Sequence, residues 1–307
     1  SIFAGYAFSI RFWKDLNKIA NPSIEKSFFK AALFFNVLSS IGPFTLAFMM
    51  ATKSSFQNLY LAAIYFFLHF QYNGWFLFTC MGLLVYRISI NATVQKKLKI
   101  AYYLFAFACV PAYFLSALWI PMPGWIYALV ALAGIAQLAG WFILLRVIKQ
   151  HVKKLKFNSN QFISVLFILG AIAYTIKLLL QAASAIPSLS FLTYGFRPIV
   201  IGYLHLVLLG VVSLFIATYS IAYNYFRLSK ITKTGVVIFV AGIIINEAFL
   251  LVQGIADLDY KSVTYMNEAL LAAAVIFFLG LLLMNITQRL NGEKTTSIKV
   301  LIINPRT

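Results

Sequence analysis

Residues 125–186 read WIYALVALAGIAQLAGWFILLRVIKQHVKKLKFNSNQFISVLFILGAIAYTIKLLLQAASAI. Two long apolar runs flank a loop carrying Arg146, Lys149, Lys153, Lys154 and Lys156. A bilayer core takes about 20 apolar residues as helix, so 125–148 and 161–186 each read as a complete span. Working outward, the same reading gives complete spans at 27–51, 56–86, 98–120, 198–226, 235–256 and 264–286. Breakers mark several ends: Pro121-Met-Pro-Gly124, Pro187, Gly195 and Pro198. Residues 1–13 are apolar but too short to cross, and no basic leader or small-residue cleavage site precedes them. They read as the end of a helix that begins upstream, so the chain is expected to be truncated at its N-terminus. We number this partial segment 1 and the complete ones 2 to 9. The expectation is an all-α, polytopic transmembrane helical bundle, with eight complete spans and a partial N-terminal helix. It forms one membrane-embedded domain over 1–307, without linker, low-complexity tract or convincing internal repeat.

The basic loop recurs after every second segment. Lys14, Lys18 and Lys26 lie in the first, and Arg87, Lys96, Lys97 and Lys99 in the second. The 146–156 loop is the third. Arg227, Lys230 and Lys233 make the fourth, and Arg289, Lys294, Lys299 and Arg306 the tail. The alternate loops hold only Lys53, Arg197 and Lys261. Basic side chains resist translocation, so the crowded loops mark the cytoplasmic face. Segments 3, 5, 7 and 9 then run inward, and the C-terminus is cytoplasmic.

Composition agrees. Hydrophobic residues make up 62% and charged ones 10%, with a mean hydropathy of +0.89. Soluble domains carry about 25% charge. The net charge of +18 lies in loops on one face, where it would meet anionic lipid headgroups rather than nucleic acid. Cys80 and Cys109 fall inside apolar runs and form no disulfide framework. Asn91-Ala-Thr93 matches a glycosylation sequon but sits on the cytoplasmic side.

Ionisable residues within spans are costly, so each is a functional hypothesis. His69 in segment 3 lies 18 positions from Arg87, and His205 in segment 7 lies 22 from Arg227. Lys177 in segment 6 is 21 from Lys156, and Glu268 in segment 9 is 21 from Arg289. At 1.5 Å per residue, these depths agree to within about 6 Å, in the outer half. Tyr72 and Asn73 sit one turn below His69, and Glu247 is deeper. One reading is a shared polar site holding a cofactor, a metal or a proton path. The other is separate buried hydrogen bonds, with Lys177 snorkelling to the outer headgroups and Glu268 interfacial. His151, in a basic loop, reads as solvated.

Around His69 the sequence is Leu68-His69-Phe70-Gln71-Tyr72-Asn73-Gly74-Trp75. It resembles the sixth helix of the heme-copper oxidase superfamily, most closely the nitric oxide reductase branch. There a metal-ligating His is followed by x-x-x-Glu-Gly, and Asn73 stands at the Glu position. Around His205, Tyr203-Leu204-His205-Leu206-Val207-Leu208-Leu209-Gly210 resembles the tenth helix, His-x-His-Leu-x-x-x-Gly, with Tyr203 at the first His. Segments 3, 7 and 9 then correspond to helices six, ten and twelve, and their inward direction matches. The resemblance covers helices five to twelve.

It implies cofactor binding at His205 and His69, with heme as the expected cofactor and His69 a metal ligand. It also implies other membrane subunits or upstream helices as partners. Two departures bear on activity. Segment 4 lacks the family's adjacent histidines, and Tyr203 replaces the ligand of the active-site heme. A three-His metal centre cannot form, so the resemblance implies a non-catalytic, respiratory-type subunit in a bacterial inner membrane. A transporter or channel lined by Lys177, His205 and Glu268, or a ligand-free scaffold, is the alternative. Gly74 and Gly210 are also candidates for close helix contacts, and Pro111 for a kink in segment 4.

Overall fold

In a computed structural model of the chain, residues 2–19, 23–88, 91–120, 122–152, 155–158, 160–190 and 195–289 are described. Pro121, Lys153, Lys154, Lys294, Lys299 and Arg306 lie outside the described residues. Among those described, the secondary structure is entirely helical.

Segment 1 is a helix over Ile2–Lys18. Segment 2 is Ile24–Ala51 with a one-residue break at Ser40. Segment 3 runs unbroken from Gln57 to Tyr86, and its middle, Phe70–Phe76, is π-helical. Segment 4 joins Ala92–Cys109 to a 3-10 turn at Pro111–Ala117. Segments 5 and 6 are Gly124–His151 and Gln161–Ala183. Segment 7 is Arg197–Ala222, with a π-helical stretch at Leu206–Ser213. Segments 8 and 9 are Lys230–Leu258 and Met266–Arg289.

Among the described residues, six helices are long and apolar enough to cross a membrane: segments 2, 5, 6, 7, 8 and 9. Segment 4 makes a seventh if its two halves, bent by 41°, form one span. The expected kink at Pro111 is therefore present, because proline removes a backbone donor and clashes with the preceding turn. Segment 3 has the length of a span but carries the polar run His69, Gln71, Tyr72 and Asn73 through its centre. The expected count of eight complete spans thus rests on segments 3 and 4.

The helix ends explain where the segments begin. Asn91 accepts a hydrogen bond from Val94 N–H, Asn160 from Phe162 N–H and Ser229 from Thr232 N–H. These caps start segments 4, 6 and 8, all at the basic end of the bundle. Asn91, the asparagine of the sequon, is thus a helix cap. At the opposite end, Pro123 precedes segment 5 and Pro198 stands in the first turn of segment 7, where a missing N–H costs little.

Consecutive segments pack as neighbours, and segment 3 also meets segment 7 where their two π-helical stretches touch. Phe28, Phe35, Phe70 and Phe78 build the core between segments 2 and 3, with Phe35 stacked on Phe70 at 5.7 Å. Gly74 lies against the Phe35 side chain so tightly that a Cβ could not fit, whereas Gly210 has ordinary van der Waals clearance. Segments 8 and 9 approach backbone to backbone. A Cβ at Gly280 would lie 2.5 Å from Phe239 N and 2.7 Å from Gly235 O. Small residues permit such close packing where both environments are apolar. Large apolar side chains such as Phe107, Leu132, Ile135, Phe142, Ile244 and Phe278 point outward, as a lipid-facing surface requires.

At the basic end, Arg87 ties segment 3 to segment 7. Its Nε donates to Tyr219 Oη at 2.8 Å, and its guanidinium lies 4.0 Å from the Tyr223 ring centroid. Asp15, on the exposed end of segment 1, is held below the usual carboxylate range mainly by its hydrogen bond from Lys18.

Candidate functional site: an intramembrane cavity

Five segments enclose a cavity of about 660 Å3 at the end of the bundle opposite the basic loops. Segment 3 contributes Tyr65 to Asn73, segment 4 Ala112 to Ser116, and segment 6 Ile176 to Ser184. Segment 7 contributes Pro198 to Val207, and segment 8 Glu247 to Leu258. The walls are mostly apolar. The polar groups are those of Tyr65, His69, Tyr72, Asn73, Ser116, Gln181, Ser184, Tyr203 and Glu247. The sequence candidates His69, Tyr72, Asn73, Tyr203 and Glu247 thus meet in one space.

Local backbone irregularity places the His69 ring. Pro111 tightens segment 4, so Tyr113 N–H bonds Val110 O at 3.1 Å in place of the Cys109 carbonyl four residues back. Cys109 O is thereby released, and His69 Nε2 reaches it at 2.8 Å. A carbonyl only accepts, so Nε2 carries the proton and Nδ1 accepts from Asn73 Nδ2 at 3.2 Å. His69 is 4% exposed and neutral in this arrangement, and both of its ring nitrogens are occupied. Among the described residues, no three His, Cys, Asp or Glu side chains group as a metal cage.

Lys177 does not snorkel. It is 1% exposed, donates to Gln181 Oε1 one turn along, and lies 5.8 Å from the Tyr174 ring centroid. Gln181 in turn lines the cavity, so Lys177 Nζ stands one side chain behind the wall. Glu268 is exposed in the first turn of segment 9 and contributes nothing to this site.

His205 is half-buried on segment 7, beside the cavity but not among its lining residues. Its Nδ1 lies 2.8 Å from the Asn246 amide of segment 8. Among the described residues, no hydrogen bond is found for its Nε2. Rotating the Asn246 amide turns the same contact into Nδ1–H donation to Oδ1. That state leaves the Nε2 lone pair free for a metal, with the ring oriented by its partner. His205 thus differs from His69, whose two ring nitrogens are both hydrogen-bonded. Both histidines close an α-helical stretch immediately before a π-helical one, a distortion that recurs at functional positions.

Three residues outside the sequence candidates complete the picture. Gln181 holds Lys177, and Asn246 holds His205. Gln71 donates to Asn36 Oδ1 at 3.0 Å and Ser39 Oγ at 2.7 Å, joining segments 2 and 3. Asn36 in turn donates to Ser9 of segment 1. Amides are uncharged, so a scan for ionisable residues passes over them. The one sequence signal was position: Gln181 is four residues from Lys177, and Asn246 adjoins Glu247.

Among the described residues, two acceptors on side chains near the cavity lack partners. Asn73 Oδ1 and Glu247 Oε1 are buried without a hydrogen bond. A buried acceptor left unmade costs about 1–3 kcal/mol. No family model matches the chain, and no curated protein matches it.

Proposed function

We propose that this chain is a multi-pass protein of a bacterial inner membrane, with eight complete spans and a cytoplasmic C-terminus. In this reading it binds a small membrane-soluble molecule in the outer-half cavity, as a carrier or a binding subunit without oxidase chemistry. The observation that carries it is the convergence of His69, Asn73, Gln181, Tyr203 and Glu247 on one largely apolar space. Its volume lies within the roughly 300–1,000 Å3 typical of small-molecule sites. At about 30 Å3 each, it would take some 20 waters to fill, and apolar walls hold such water poorly. Segment 3 completes the span count in this reading, because its polar run faces segments 2 and 4 and the cavity rather than lipid.

An alkyl diazirine probe tests the binding. Photolysis in native membranes is expected to label peptides 65–73, 198–207 and 247–258 saturably. Labelling that rises linearly with probe and spreads over exposed residues such as Leu132 and Ile135 would remove the site.

A second reading rests on His205. Its oriented imidazole supports heme binding, and the order of His69 and His205 supports a heme-copper-oxidase-like bundle without dioxygen or nitric oxide turnover. The second axial ligand would come from a partner subunit or an upstream helix. Purified protein is then expected to show a heme Soret band that disappears in His205→Ala and persists in His69→Ala. Absence of any heme spectrum from protein purified with its membrane partners contradicts this reading and leaves the cavity reading intact.

A further inference from the structure

At the basic end of the bundle, opposite the cavity, two cations converge on one ring. The Arg87 guanidinium lies 4.0 Å from the Tyr223 ring centroid, and the Lys156 ammonium 5.7 Å from it. The two charges therefore stand no further apart than a Debye length, about 10 Å at 0.1 M salt. The segments that build this corner supply no counter-charge. The acids of the chain are Asp15, Glu25, Glu247, Asp257, Asp259, Glu268 and Glu293, so residues 26–246 hold none. Among the described residues, the ion pairs are those of Asp15 with Arg11 and Lys18 and of Asp259 with Lys261, and Arg87 enters none. Its Nε is used on Tyr219 Oη, and no acceptor among the described residues is found for its two Nη groups. Four N–H donors in a planar fork match the oxygens of a phosphate.

The corner is built rather than incidental. The rings of Tyr86 and Tyr219 also flank the guanidinium, at 5.0 and 5.5 Å. Three rings thus orient the fork before an anion arrives. Lys156 is exposed, but Leu155 and Phe157 on either side of it are buried. Phe157 stacks on Phe167 of segment 6 at 4.5 Å and meets the Tyr223 ring edge-on at 5.7 Å. The lysine therefore projects from an anchored backbone. Segment 7 ends in a left-handed turn at Asn224, φ 60°, where Tyr225 and Phe226 N–H both donate to Ser220 O, at 2.8 and 3.0 Å. That reversal lays the Tyr225 ring parallel to Tyr219 at 6.3 Å.

Depth and charge select the anion. Arg87 directly follows the apolar helix Leu77–Tyr86, and Tyr86 and Tyr225 are exposed beside it, as aromatic residues are at headgroup level. A lipid phosphate lies at that depth, and basic pockets between segment ends take anionic headgroups. A zwitterionic lipid would bring its ammonium against two cations and no acid. We propose that the inner ends of segments 3 and 7, with the loop between segments 5 and 6, bind the phosphate of an anionic phospholipid through Arg87 and Lys156.

The test is native mass spectrometry of the delipidated full chain in detergent, titrated with dioleoyl phosphatidylglycerol or dioleoyl phosphatidylethanolamine. Saturable phosphatidylglycerol adducts are expected, about tenfold tighter than those of phosphatidylethanolamine. Lys156→Gln, at an exposed side chain, is expected to weaken phosphatidylglycerol about fivefold. Arg87→Gln is expected to weaken it about tenfold, and both variants leave phosphatidylethanolamine unchanged. Arg146→Gln removes a cation that lies over Phe142 at 4.1 Å, outside this corner, and is expected to change nothing. The lipid comparison on the unmodified chain needs no variant to fold. Equal binding of the two lipids overturns the site, as does an equal loss from Arg146→Gln and Lys156→Gln, which would mark diffuse surface charge. Displacement of the bound lipid by millimolar glycerol 1-phosphate overturns the lipid assignment in favour of a soluble phosphate.

Discussion

Gly280→Leu is expected to abolish the folded bundle, with loss of the monodisperse detergent-solubilised species on size-exclusion chromatography. Segments 8 and 9 form the most extensive helix pair of the molecule. At Gly280 even a methyl carbon would stand 2.5 Å from Phe239 N, and the neighbour is backbone, which cannot swing aside. Gly242 is similarly closed, with Phe277 N at 2.7 Å from its Cβ position. Overpacking a core typically costs about 1–3 kcal/mol, and a rigid neighbour raises the cost beyond that range. Folded proteins hold only about 5–15 kcal/mol in reserve. Gly170, on segment 6, is the internal control. A Cβ there meets nothing within 4 Å, so Gly170→Ala is expected to be neutral or to stabilise by up to about 1 kcal/mol through helix propensity. Equal tolerance of both substitutions would refute the backbone contact between segments 8 and 9.

The segments were legible because apolar length and helix-end chemistry act locally. The expected span 161–186 is the helix Gln161–Ala183, and the expected 264–286 is Met266–Arg289. Asn160 and Ser229 cap where the basic loops end. The kink at Pro111 was legible for the same reason, since the missing N–H is a property of one residue. Its consequence was not, because the released Cys109 carbonyl gains meaning only when segment 3 brings His69 beside it. The π-helical stretches after His69 and His205 carry no composition signal that separates them from the α-helix around them.

Depth was read by counting residues from the basic loops, and it grouped His69, Lys177, His205 and Glu268. Counting gives height along the bundle but not the direction a side chain faces. Lys177 therefore proved to be buried against Gln181 where snorkelling was an alternative, and Glu268 proved to be exposed. Tyr203 and Glu247 joined the cavity because of helix rotation, which the apolar runs of segments 7 and 8 do not specify when nearly every face is hydrophobic.

The account depends on orientation, because the cavity lies in the outer half only if the basic loops are cytoplasmic. Single cysteines probed in intact cells with a membrane-impermeant thiol reagent give an all-or-none readout. The native Cys80 and Cys109 are buried and contribute little background. Cysteines placed at Gly124 and Lys261, both exposed, are expected to react. Those placed at Lys97 and Lys230 are expected to stay protected until the membrane is permeabilised. The reverse pattern, with Lys97 and Lys230 labelled in intact cells, would place the cavity in the inner half and contradict the account.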